Sequence, residues 1–112
     1  MLKFQGRAFS ESLTIDVDAL VRDLWDTISD DGLRRLAREA GIIPAGVVTV
    51  IQNCVAKTFD ERMARALGDR WGMMIGTDRV VSMLNEAGHK ERNEFIRDTT
   101  KAIVDAMIAD AA

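Results

Sequence analysis

One hundred and twelve residues, 47% apolar and 29% charged, make one domain of ordinary globular composition, because a single core typically serves about 100–150 residues. Fifteen Lys and Arg against 18 Asp and Glu leave a net charge of −3, which excludes a surface built mainly to neutralise phosphates. The lone cysteine, Cys54, excludes an internal disulfide. No apolar stretch approaches the roughly 20 residues of a membrane span, and none resembles a secretory signal, so a cytoplasmic chain with no membrane role is expected.

In chain order, Leu2 and Phe4 alternate before Gly6, and Leu13, Ile15 and Val17 alternate with Thr14 and Asp16. That is the period of a half-buried strand, and it predicts a short N-terminal strand or hairpin. From Asp18 the period lengthens. Val17, Leu20, Val21, Leu24, Trp25 and Ile28 form the stripe of an amphipathic helix with Asp16 or Asp18 as its N-cap. Ser29 or Asp30 is placed to cap a second helix with Leu33, Leu36, Ala37 and Ala40 inward and Gly41 as its stop. The short link between these two helices predicts an antiparallel hairpin.

Pro44 suits the first turn of a third helix, whose apolar positions are Val47, Val50, Ile51, Cys54 and Val55. Thr58-Phe59-Asp60-Glu61 has the form of a capping box, so a fourth helix is expected to start or re-register there, burying Phe59, Met63, Ala66 and Leu67. Gly68, Gly72 and Gly76 then mark a hinge or irregular connection. Thr77 or Asp78 is the expected cap of a fifth helix, with Val80, Val81, Met83, Leu84 and Ala87 inward and Gly88 as its stop. The last helix is expected from about His89, with Phe95, Ile96, Thr99, Ala102, Ile103, Ala106 and Met107 in register and Lys90, Glu91, Glu94, Arg97, Asp98, Lys101 and Asp105 facing water. The sum is a mainly α, compact five- or six-helix single domain over residues 1–112, with a short N-terminal strand or hairpin.

Catalysis needs groups that converge, and the sequence offers few. His89 is the only histidine and stands in a linker position; Cys54 falls on an apolar stripe, where a small buried hydrophobe is expected rather than a reactive thiol. The close carboxylates Asp16 and Asp18, or Asp30 and Asp31, sit at helix starts, which recruit them without any catalytic role. No catalytic residue, metal ligand or cofactor site is therefore expected, and the chain reads as one that binds. Arg34, Arg35 and Arg38 share one side of the second helix as a small basic patch. Trp71-Gly72-Met73-Met74-Ile75-Gly76 sets four large apolar residues among glycines; a buried connection is expected there, with exposure at a partner or dimer seam as the alternative.

Two resemblances extend this reading. Leu33-Arg34-Arg35-Leu36-Ala37-Arg38-Glu39-Ala40-Gly41-Ile42-Ile43-Pro44-Ala45-Gly46-Val47-Val48-Thr49-Val50-Ile51-Gln52-Asn53 resembles the helix-turn-helix of lactose-repressor-type regulators, with Ala37 packed, Gly41 at the turn, and Val47 and Val50 inward. It implies a DNA-binding regulator reading bases with Thr49, Gln52 and Asn53. Residues 43–53 contain no Lys or Arg, however, so a plain helix pair is preferred. The run Leu13-Thr14-Ile15-Asp16-Val17-Asp18 into a helix, followed by Ser29-Asp30-Asp31-Gly32-Leu33-Arg34-Arg35-Leu36, looks like small accessory proteins of bacterial viruses. That likeness implies a non-enzymatic, anti-CRISPR-like inhibitor that occludes a host protein complex. Asp23, Asp26, Asp30, Asp31, Arg34, Arg35, Arg38, Trp71, Met73 and Met74 are then its candidate partner-binding residues, with a homodimer as a further possibility.

Overall fold

The structure, a computed structural model, describes residues 2–6, 11–27, 31–84 and 86–111. Among the described residues the fold is mainly helical: α1 (Val17–Thr27), α2 (Asp31–Ala40), α3 (Ala45–Trp71), α4 (Thr77–Met83) and α5 (Glu86–Ala111). The backbone of β1 (Leu2–Gly6) runs antiparallel to β2 (Glu11–Ile15), with β1 beside α5 and β2 beside α3. The outline is elongated, 48 × 24 × 22 Å. A 27-residue α3 dictates that length, since a helix of this size runs for about 40 Å. Among the described residues no single helix is long and apolar enough to cross a membrane.

The largest departure from expectation is that the third and fourth helices are one. Thr58-Phe59-Asp60-Glu61 lies in mid-helix. A capping box contributes only about 1 kcal/mol. Against it stand Ile51, Val55, Phe59, Met63 and Leu67, all buried and spaced by four, each contributing roughly 1.5–3 kcal/mol by leaving water. A break at Thr58 would put half of that ridge out of register. Every-fourth residues drift slowly around a helix, so the same ridge leaves Val50 and Cys54 on the exposed side, contrary to the expected stripe. Pro44 sits one position before the expected first turn, as N-cap, its carbonyl accepting from the Val47 and Val48 N–H groups at 3.0 Å each.

α5 presents the matching row: Phe95, Thr99, Ile103, Met107 and Ala111 are buried at the same spacing. The Phe59 and Phe95 rings meet at 5.4 Å between centroids, tilted by 44°. Beside them the Arg92 guanidinium donates two hydrogen bonds of 2.9 Å to the Asp60 carboxylate, with both side chains largely covered. The hydrogen bonds to Asp60 raise the Arg92 pKa above its ordinary value, against the opposing effect of burial, and the Asp60 charge adds to the rise. For the guanidinium, a raised pKa means a contribution that is present below arginine's ordinary titration and is lost as pH rises through the raised value.

α1 starts as expected, the Ala19 N–H donating to Asp16 Oδ1 at 3.1 Å. Val21, Leu24 and Trp25 are buried against α5, while Ile28 and the expected caps Ser29 and Asp30 lie outside the described residues. α1 and α2 both dock on α5, and the link on which the expected antiparallel hairpin turns, residues 28–30, lies outside the described residues. α2 covers Leu33 and Ala37 and leaves Leu36 and Ala40 exposed, narrowing the expected inner face. Arg34 ties α2 to both neighbours, its guanidinium 4.4 Å from the Trp25 ring centroid and 3.8 Å from Asp110. Gly41 ends α2 at φ +64°, as its position suggests.

The glycines after Leu67 divide their work. Gly72 takes φ +65° and ψ +32°, and its N–H and that of Met73 both donate to the Gly68 carbonyl, which reverses the chain. Gly68 itself is helical, and a Cβ there would lie 2.7 Å from the Met73 carbonyl oxygen. Gly76, not Thr77 or Asp78, is the N-cap of α4, its carbonyl accepting from Arg79 and Val80. α4 ends at Met83 because the buried Leu84 is extended, at φ −67° and ψ 133°. Ala87 and Gly88 therefore belong to α5, and Gly88 is a buried first-turn residue rather than a stop.

Gly68→Ala is expected to lower stability by about 1–3 kcal/mol, because the added methyl meets backbone that must shift. Gly76→Ala, with nothing within 4 Å, is the control in the same urea titration and should move the midpoint far less. Arg92→Ala is expected to cost about 1–3 kcal/mol in that titration, and Arg92→Lys to recover only part of it, since an ammonium cannot make the two-pronged contact.

Candidate functional site

The tight reversal after α3 decides which large side chains reach solvent. With Gly72 left-handed and Met73 hydrogen-bonded back to Gly68, the six-residue segment that follows Arg70 has little apolar surface to cover it. Trp71 is 49% exposed, Met73 50% and Met74 97%. This replaces the expected buried connection: only Ile75 turns partly inward, against the core. Beside this lip runs a groove of about 440 Å³, whose walls include Ala64, Gly68, Met73, Met74 and Ile75, with Glu61, Arg65 and Asp69 among its polar residues.

The other expected binding residues lie elsewhere. Asp23 and Asp26 are exposed on α1, Asp31 is exposed at the start of α2, and Asp30 lies outside the described residues. Arg34, Arg35 and Arg38 are all exposed on α2, with the Arg34 guanidinium also lying against Trp25 and Asp110. Thr49, Gln52 and Asn53 are exposed on the first half of α3, with the Thr49 hydroxyl donating to the Ala45 carbonyl at 3.1 Å. From Asn53 to Trp71 is 18 residues along one helix, roughly 27 Å. The acidic, basic and polar candidates therefore do not join Trp71, Met73 and Met74 in one site.

At the α2–α3 junction the two helices meet at a bend of 104° across residues 41–44, within the roughly 90–120° typical of helix-turn-helix pairs. Its surface also carries exposed Leu36, Ile42 and Val50, which residue spacing had assigned inward or left unassigned. His89 is exposed on the first turns of α5 and Cys54 is exposed on α3. Among the described residues no three of His, Cys, Asp and Glu come together as a metal site. No family model matches the chain, and no curated protein or solved structure matches it either.

Proposed function

We propose that this chain is a non-enzymatic protein-binding module that acts by laying the Trp71–Met74 lip onto a partner and occluding its surface. The observation that carries the reading is the exposure of Trp71, Met73 and Met74 within four residues of one another. Apolar side chains of this size gain most by leaving water. Trp is among the residues that dominate binding energy at interfaces, and the unbranched thioether of Met adapts to uneven surfaces. The glycine-determined reversal fixes the backbone beneath them, so that less ordering is needed on binding. The likeness of the first third of the chain to accessory proteins of bacterial viruses supports a host nucleic-acid-handling complex, in the cytoplasm, as the partner to try first. In that setting the exposed Asp23, Asp26 and Asp31 would complement a basic groove. A second copy of the chain is the alternative occupant.

Met73→Asp/Met74→Asp is expected to leave the melting temperature within a few degrees of the parent, because Met74 stands in water and Met73 is half exposed, both outside the buried core. It should also abolish recovery of a partner that the parent chain retains from a bacterial lysate. Equal recovery by the two proteins, or nothing above background for the parent, overturns the proposal.

A second reading is favoured by the 104° junction: a DNA-binding regulator that uses residues 33–53, with Thr49, Gln52 and Asn53 toward the bases. It predicts a mobility shift of genomic fragments at low salt, where phosphate contacts are strongest, weakened by Gln52→Ala/Asn53→Ala. No shift at low salt excludes it.

A further inference from the structure

α1 and α3 both lie on α5 and barely touch each other, and the space between them is an apolar slot of about 170 Å³. Leu24, Ile51, Val55 and Ile103 line its depth, and Leu20 and Val50 its sides. Asp23, Thr27 and Cys54 complete the lining; all three are exposed, so they stand at its mouth. The deep residues offer only hydrocarbon, whereas a trapped water needs about 2–4 polar partners, so the interior favours an apolar guest over water. Its volume suits one aromatic ring, since apolar cavities of about 150 Å³ in other proteins take up benzene. Among the described residues of the lining, the exposed Asp23 carboxylate supplies the only formal charge and would complement a cation at the opening.

We propose that this slot is a binding site for a small molecule consisting of one aromatic ring and an amine, the ring between α1 and α3 above Ile103 and the ammonium at Asp23. The site is independent of the Trp71–Met74 lip, at the other half of α3.

Benzylamine and toluene, titrated into the full chain and followed by amide chemical shifts, test it. Both should give saturable shifts centred on Leu24, Val50, Ile51 and Ile103, and benzylamine should slow alkylation of Cys54 several-fold. Val50→Phe places a ring in the slot from a half-exposed position and should remove the shifts for both compounds; Cys54→Phe does the same from the mouth should the first variant fold poorly. Asp23→Asn should weaken benzylamine about threefold, the scale of an exposed ion pair, and leave toluene unchanged. Absence of saturable shifts, or shifts that survive in a folded filling variant, overturns the site. An unchanged ratio of benzylamine to toluene affinity in Asp23→Asn overturns the assignment of the amine.

Discussion

Two rows of side chains, each spaced by four, hold this molecule together: Ile51, Val55, Phe59, Met63 and Leu67 on α3, and Phe95, Thr99, Ile103, Met107 and Ala111 on α5. Rows at this spacing are the ridges by which helices interlock, and a ridge works only while its helix is continuous. That requirement explains why α3 runs through a sequence shaped like a helix start, and why α5 begins before a glycine and passes through it. The remaining helices are additions to the pair, α4 against α3, and α1 and α2 against α5. The Trp25 indole N–H and the Thr100 hydroxyl are buried with no hydrogen-bond partner among the described residues.

How far the sequence discloses this fold depends on the range of the interaction being read. Local signals were legible: Asp16 caps α1 because its carboxylate accepts from a backbone N–H only three residues on, and Gly41 ends α2 because only its own φ is at issue. The mainly α class followed from periodicity alone. The boundary at Thr58 was not legible, because the competing effect is the partner ridge on α5, more than thirty residues further along. Gly88 misled for the same reason. A glycine after an apolar stripe usually signals a stop, but here the break is set by Leu84, which leaves the helix in order to bury its side chain.

The candidate site was half legible. Trp71, Met73 and Met74 stood out as large apolar residues among glycines, yet the argument that a small chain needs them in its core pointed inward. What reversed it was the Gly68–Gly72–Met73 turn, whose hydrogen bonds fix where the chain goes regardless of what the side chains prefer. The expected spacing did not reveal Val50 or Ile42 as exposed, because their exposure follows from how few neighbours the α2–α3 junction has. Asp60 and Arg92 gave no signal at all: two charges 32 residues apart become a pair only once the ridges have set the relative height of α3 and α5.

Since α1, α2 and α3 all find their seat on α5, the element that completes the core is synthesised after them. A nascent chain emerging from the ribosome would carry three amphipathic segments with their greasy faces unmatched, and cooperative closure would come only when the final helix arrives. Interactions this distant in sequence slow folding and prolong the interval in which chaperones or proteases can engage the chain. Its vulnerability during manufacture is thus concentrated in the time before α5 appears, however secure the finished molecule is.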